Sequence, residues 1–356
     1  MEDRILKLNE YSALNQPAAS GLTLARVSAT SHQQYTVITT AGSFAAVVAG
    51  RFANLALGPE DFPTVGDWVQ VRLPQTPTDV AVIERLNPRQ TVFLRKAAGR
   101  AAQAQLVAAN IDWLLVCMAL DANYNVARLE RYLAIAAASG AQAAVVLTKK
   151  DRASDLTAQL TAVQAVAAAA PVFVCDATKR DGIAALQQWL TPQATYALIG
   201  SSGVGKSTLI NLLLGTQTIA TQAVRAQDAH GRHTTTARQF LRLPNGSMVI
   251  DTPGMRELGL IQADVAQTFD DIQTLAQQCR FRDCTHTKEP GCAVQAAIAA
   301  GALPAARLAS YQQLQQEQAQ NQALRGKARE NAKIKRMFGS KKQMHAMIKA
   351  AKHRRR

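Results

Sequence analysis

Residues 196–214 read Tyr-Ala-Leu-Ile-Gly-Ser-Ser-Gly-Val-Gly-Lys-Ser-Thr-Leu-Ile-Asn-Leu-Leu-Leu. Within them Gly200, Ser201, Ser202, Gly203, Val204, Gly205, Lys206 and Ser207 match G-x-x-x-x-G-K-[ST] in full, with Thr208 next. An apolar strand, Tyr196–Ile199, enters this run and a helix leaves it from Thr208, the context the motif requires. Glycines let backbone N–H groups close around phosphates at a helix N-terminus, where the dipole favours negative charge. Lys206 is placed to reach the β- and γ-phosphates, and the Ser207 hydroxyl to ligate Mg2+. The stretch predicts a nucleoside triphosphate site on an α/β scaffold.

Working outward, apolar strand candidates Ile111–Ala119, Ala144–Thr148 and Val172–Cys175 alternate with helical stretches. In Val126–Ala138, Leu129, Tyr132, Leu133 and Ala136 share one face at helical spacing. Such alternation predicts a parallel sheet with helices on both sides. Upstream, Leu22–Ser28, Tyr35–Thr39, Phe44–Val48, Trp68–Arg72 and Val80–Leu86 are short β segments, with a hairpin turn at Ala41-Gly42. Five strands in that space fit a small barrel of the oligonucleotide-binding type (OB fold), although fold alone assigns no nucleic-acid binding. Beyond about Gln262 the chain reads as helical, broken by a loop of Cys and His, and Ala305–Leu324 reads as a Gln-rich surface helix.

Composition excludes several classes. A chain of 356 residues with 48% hydrophobic content has room for two or three cores. Five thinly spread cysteines do not make a secreted disulfide scaffold. The start, MEDRILKLNEYS, shows no signal peptide, and the long uncharged stretch Leu156–Cys175 carries Thr, Gln and Pro171 and is not a membrane span. A cytoplasmic protein is expected. Of the net charge of +15, the tail from Arg325 to Arg356 carries +12, with thirteen Lys or Arg against Glu330 alone. Such a tail attracts polyphosphate or acidic surfaces, or is a solvated helical extension. Met337, Phe338, Met344, Met347 and Ile348 form too short an apolar stripe for lipid to be the better partner.

Downstream of the phosphate loop, Asp251-Thr252-Pro253-Gly254 ends the apolar strand Met248–Ile250 and resembles the D-x-x-G motif of GTPases. There the Asp holds Mg2+ through water and the Gly N–H meets the γ-phosphate. Between them lies Gly231-Arg232-His233-Thr234-Thr235-Thr236, a polar segment suited to a switch, with Thr235 the choice for the Mg2+ shell. Upstream, Thr148-Lys149-Lys150-Asp151 ends a strand and resembles the guanine-reading N-K-x-D. The Asp151 carboxylate can accept two hydrogen bonds from guanine N1–H and N2–H2, which adenine does not offer as a pair. The Lys149 stem can cover the base, and Asp176-Ala177, ending the next strand, stands where GTPases carry Ser-Ala. Read alone, the Thr-Lys-Lys-Asp run would be a solvated strand end.

The order guanine motif, base loop, phosphate loop, switch I, switch II marks the circularly permuted GTPases. With a barrel before it and a Cys/His cluster after it, the chain resembles the ribosome small-subunit-dependent GTPase A family. Phe62-Pro63-Thr64-Val65-Gly66-Asp67-Trp68-Val69, Arg95-Lys96-Ala97, Leu120-Asp121-Ala122-Asn123-Tyr124-Asn125 and the Gly231–Thr236 run carry that resemblance, over about residues 20–325. Thr148 and Asp176 depart from the family's Asn and Ser, which should loosen base contacts and leave guanine selectivity resting on Asp151. Where Ras-like GTPases place a water-orienting Gln, this chain has Met255. Slow intrinsic turnover is expected, and the resemblance implies stimulation by the small ribosomal subunit. His233 is the candidate for positioning water; contact with RNA or shaping of the switch are equal alternatives.

Cys279, Cys284, His286 and Cys292 form C-x4-C-x-H-x5-C, a donor set that suits a closed tetrahedral structural Zn2+ site, with reduced metal-free cysteines as the alternative. Arg280, Arg282 and Lys288 surround it, as on an RNA-facing knuckle, whereas Cys117 and Cys175 read as apolar filler in core strands. The expected architecture is therefore multidomain. It comprises an OB-fold-like β barrel (1–88), a circularly permuted α/β P-loop GTPase domain (89–262), an α-helical zinc-binding domain (263–325) and a basic C-terminal tail (326–356). The expected function is GTP hydrolysis in late maturation of the small ribosomal subunit. In this reading the GTP form binds the subunit and its rRNA, and the subunit stimulates the hydrolysis that releases the protein. Zn2+ and GTP with Mg2+ are the expected cofactors, no membrane partner is expected, and a monomer is the simplest state.

Overall fold

Strands β1 (Thr23–Ser31), β2 (Gln34–Thr39), β3 (Gly42–Val48), β4 (Trp68–Arg72) and β5 (Ala81–Leu86) close into a barrel in the order β1-β2-β3-β5-β4. The β3–β5 pair is parallel and the other four are antiparallel, and a short helix, α1 (Gly50–Leu55), follows β3. Two-residue alternation turns Ala25, Val27, Val37, Val69, Val71, Ala81 and Ile83 inward, each fully buried. The five expected strands are all present, β1 running three residues beyond Ser28. This is a computed structural model, and it describes residues 18–31, 34–56, 58–76, 78–96, 104–167, 170–216, 239–251 and 265–320. Gly231–Thr236, with His233 and Thr235, lies outside those residues, as do Gly254, Met255, the basic tail and the last residues of the Gln-rich helix.

The Phe62–Val69 run explains how the barrel is seated. Gly66 has φ +91°, and a Cβ there would stand 2.0 Å from the Ala109 carbonyl oxygen, so the backbones touch where only glycine fits. Beside it, Ala109 N donates to Val65 O at 3.0 Å and Thr64 Oγ1 to Val107 O at 3.3 Å. The fully buried Asp67 receives Arg89 Nε and Nη2, each at 2.8 Å, in a fork-on-carboxylate pair. Burial pushes the Asp67 carboxyl up, and Arg89 pulls against that. Buried Arg26 donates to Asn110 O at 2.8 Å and lies between the Trp68 and Phe240 rings, 4.8 and 4.7 Å from their centroids. Trp68 and Phe240 sit on opposite sides of the barrel–sheet junction, so one cation is shared by both.

An antiparallel pair not expected from sequence, β6 (Val92–Lys96) with β7 (Ala104–Ala109), stands between barrel and sheet. Next come β8 (Trp113–Ala119), β9 (Gln142–Thr148), β10 (Val172–Val174), β11 (Thr195–Ile199), β12 (Gln239–Arg242) and β13 (Met248–Asp251). They form one sheet in the order β10-β9-β8-β11-β13-β12, parallel except for β12 at one edge. Helices α2 (Val126–Ser139) and α3 (Leu156–Ala167) cover the face carrying Leu114, Val116 and Met118. The other face, with Leu115, Cys117 and Ala119, packs on α4 (Ile183–Trp189) and α5 (Lys206–Leu214). A strand covered on both sides needs a continuous apolar run, which is why these were legible. Cys117 and Cys175 are buried filler as expected, their thiols pushed by burial up to about 12 and about 11.

After the sheet come the short helices Val265–Thr268 and Asp270–Ala276, the Cys/His loop, a helix at Ala293–Ala299, and a helix over 305–320. That last helix corrects an expectation. It is not simply a surface helix, because Leu308, Tyr311 and Leu314 are buried and join the same core as Leu129 and Leu133 of α2. Spacing of three residues puts them on one stripe, and the many glutamines occupy the other side.

Candidate functional site

The carboxyl ends of the parallel strands converge on one edge of the sheet, where open α/β sheets bind ligands. From β11 the chain enters Gly200–Gly205, and α5 starts at Lys206 with Gly205 at its N-cap. Gly200, Gly203 and Gly205 have φ of +153°, +77° and +97°. A Cβ on Gly200 would stand 2.3 Å from the Cys117 carbonyl oxygen, so the loop lies directly on β8. The motif's glycines are thus demanded by backbone geometry as well as by phosphate access. Lys206 Nζ donates to the carbonyl oxygens of Gly200 and Ser201, the latter at 2.8 Å, which holds the ammonium across the loop. Ser207 and Thr208 lie in the first turn of α5, and Asp251 ends β13, next to β11 in the sheet.

Thr148 has a different position from the one its resemblance to a base-reading Asn suggests. Its hydroxyl donates to the Val204 carbonyl oxygen at 2.5 Å, inside the phosphate loop, and Met118 O lies at 3.4 Å. Both Thr148 and Val204 are buried, so the hydroxyl clasps the base-loop strand to the phosphate loop. Lys149 adopts a left-handed backbone with φ +57°, and its Nζ is 2.7 Å from Asp121 Oδ2. That bond holds the Asp121 carboxyl below the usual carboxylate range. Lys150 pairs with Asp181 at 2.6 Å. Asp176 Oδ1 accepts from Thr178 N at 2.8 Å and Thr178 Oγ1 at 2.6 Å, closing its own turn. Ala177 sits in that turn, and Asp151 is the middle residue of the short 3-10 turn Lys150–Arg152.

Sequence reasoning missed one cation at this site. Arg128, in the first turn of α2, places Nη1 3.1 Å from Ser201 Oγ of the phosphate loop. No local motif marks it, because the two residues meet only through the fold.

The second candidate site is the Cys/His loop. Among the described residues, Cys279, Cys284, His286 and Cys292 bring their ligand atoms within 4.8 Å of one another. Cys279 and Cys292 sulfurs are 3.6 and 3.5 Å from His286 Nδ1 and 3.9 Å from each other. A tetrahedron with bonds of about 2.3 Å to sulfur and 2.05 Å to nitrogen has edges of about 3.8 and 3.5 Å, so the donor set fits a tetrahedral ion. His286 holds φ +58°, and its carbonyl oxygen accepts from Gln295 Nε2 at 2.6 Å, which fixes the ring's approach. Gln295 N in turn donates to Cys292 Sγ at 3.4 Å. Among the described residues no helix is long and apolar enough to cross a membrane.

The family model described as RsgA GTPase matches residues 86–261. A model described as ABC transporter also matches 185–351, a stretch under half the chain that contains the same phosphate loop. A relative from Lactiplantibacillus plantarum, "Small ribosomal subunit biogenesis GTPase RsgA 2", is 48% identical over 335 residues, 94% of each chain. Two solved structures show the same fold. The crystal structure of YjeQ from Thermotoga maritima has a TM-score of 0.62 and 23% identity, covering 84% of this chain and 99% of that one. A second, that of YloQ, "a circularly permuted GTPase", has a TM-score of 0.59 and 20% identity, covering 86% and 98%.

Proposed function

This chain is a member of the RsgA GTPase family, and on that footing we propose that it hydrolyses GTP during maturation of the small ribosomal subunit. The observation that carries the reading is the Thr148–Val204 bond, which sets a guanine-type loop against a complete phosphate loop at one edge of the sheet. In this reading Asp151 accepts the guanine N1–H and N2–H2, and Lys149, with Lys150, Asp176 and Ala177 beside it, borders the base. Backbone N–H groups from Gly200 to Thr208 hold the phosphates, with Lys206 on the β/γ oxygens. Ser207, Thr235 and Asp251 would hold Mg2+, which when bound neutralises charge on the phosphates. Gly254 N–H meets the γ-phosphate. His233 positions the attacking water, and Met255 supplies no water-orienting group, so turnover is slow without a partner.

Cys279, Cys284, His286 and Cys292 would hold Zn2+ as a structural ion, since four protein donors leave no open position for chemistry. The GTP form binds the maturing small subunit through its rRNA, with the basic tail supplying charge, and the GDP form leaves. The protein acts as a cytoplasmic monomer. The four segments 1–88, 89–262, 263–325 and 326–356 divide this work among barrel, nucleotide domain, zinc domain and tail.

The deciding experiment is steady-state hydrolysis of GTP, with ATP as control, alone and with purified small, large or joined ribosomal subunits. Strong stimulation by small subunits alone is the expected result. GTP binding without stimulation by any subunit would overturn it, leaving an RNA-binding scaffold in which GTP is only a conformational ligand.

A further inference from the structure

Helix α2 begins at an Asn125 N-cap, whose side chain accepts from Arg128 N at 2.9 Å, and the chain around its start reaches three places at once. Asp121, in the loop leading into it, is paired with Lys149 of the base loop at 2.7 Å. Arg128 bonds Ser201 of the phosphate loop at 3.1 Å, and the same Ser201 receives Lys206 through its carbonyl oxygen at 2.8 Å. Glu130, 2% exposed, is bonded by Arg307 at 2.6 Å, and Arg131 by Glu317 at 2.6 Å, both partners lying on helix 305–320. Arg307 is itself locked by Asp271 at 2.5 and 2.9 Å, by Thr268 O at 3.1 Å and by the Phe269 ring 4.8 Å away.

We propose that the start of α2 is a relay in which Arg128 positions the phosphate loop and Glu130 and Arg131 transmit that position to the C-terminal helices. Residues 128 to 131 span less than one helical turn, about 5 Å of axis, so a shift at Ser201 moves Glu130 and Arg131 as one rigid piece. Glu130 cannot stay behind, because a buried carboxylate separated from its guanidinium is strongly penalised. Nor can Arg307 slide alone, held as it is on four sides. Arg128 also adds a positive charge beside the loop, so a triphosphate gains more from it than a diphosphate. Nucleotide state and the packing of helix 305–320 are therefore linked, and linkage is reciprocal. This inference rests on the GTPase reading above.

The test is a double-mutant cycle on the full chain, measuring the affinity ratio of a non-hydrolysable GTP analogue to GDP. Arg128→Gln should lower that ratio about 3- to 10-fold. Arg307→Lys, which keeps the charge but loses the planar fork, should lower it at least about 3-fold although it touches no nucleotide. The double variant should show no more than the larger single effect. Should Arg307→Lys fold poorly, Glu317→Gln replaces it, because that pair is partly exposed and its loss is mild. Variants that melt lower while the ratio stays within twofold, or effects that simply multiply, would overturn the relay. Wild-type protein binding neither nucleotide would instead overturn the GTPase reading itself.

Discussion

Thr148→Val removes one hydroxyl and keeps the shape of the side chain, so it isolates the bond to Val204 at 2.5 Å. A buried neutral hydrogen bond contributes about 1 kcal/mol net, and a carbonyl left without its donor costs about 1–3 kcal/mol. Nucleotide binding needs the phosphate loop in one arrangement, and we assign about 1–2 kcal/mol of this to binding. Affinity for GTP and for GDP should then fall together, by about 5- to 30-fold. Because the bond reaches the loop backbone and not a base, preference for GTP over ATP should stay within about twofold. Thr148→Ser restores the donor and should recover most of the loss. The assay is titration of a fluorescent GDP analogue, with competition by GTP and ATP and with thermal melts of each variant. A valine variant that binds as tightly as wild type would refute the reasoning. So would one that loses GTP-over-ATP preference while keeping its GDP affinity, for Thr148 would then be a base contact.

Other expectations follow from the same geometry. Gly66→Ala should cost about 3 kcal/mol or more in chemical denaturation, because φ +91° and the Ala109 oxygen 2.0 Å from the new Cβ leave no relaxed alternative; a variant as stable as wild type contradicts the close approach. A strong chelator should make three thiols reactive, Cys279, Cys284 and Cys292, while buried Cys117 and Cys175 react only in denaturant; five reactive thiols in native buffer would refute this. The Asp121–Lys149 pair should give stability that depends on pH. Its carboxyl is depressed, so the contribution is present above the unfolded value, about 3.9, and disappears as pH falls through the lower folded value. Denaturation of wild type and Asp121→Asn should therefore differ near neutrality and converge in acid. A gap independent of pH would mean that the pair adds nothing.

The parts of this protein that could be read along the chain are those whose chemistry is local. Gly200–Ser207 and Cys279–Cys292 are each one short contiguous run, and the buried parallel strands announce themselves as unbroken apolar runs. Motif order alone disclosed the permutation. What stayed hidden was non-local. Residues 104–109, Ala-Gln-Leu-Val-Ala-Ala, have no strand periodicity and become β7 only by pairing with β6. Arg128 and Ser201 are 73 positions apart, and nothing near either one names the other. Thr148 looked like a weakened base contact because the comparison was with a motif, whereas its hydroxyl is aimed at the neighbouring loop. In the Gln-rich helix, composition hid the buried stripe of Leu308, Tyr311 and Leu314.

The strand order also sets a timetable for synthesis. β8, β9 and β10 are neighbours in the sheet and leave the ribosome first, yet the other side of β8 belongs to β11, about 75 residues later in the chain. At about 5–20 residues per second, β8 waits roughly 4–15 seconds with one row of backbone groups unpaired. An unpaired strand of this apolar character invites pairing with the wrong chain. A pause in translation anywhere between α2 and β11 prolongs that interval, so slow codons there should lower the yield of soluble protein without changing a single amino acid.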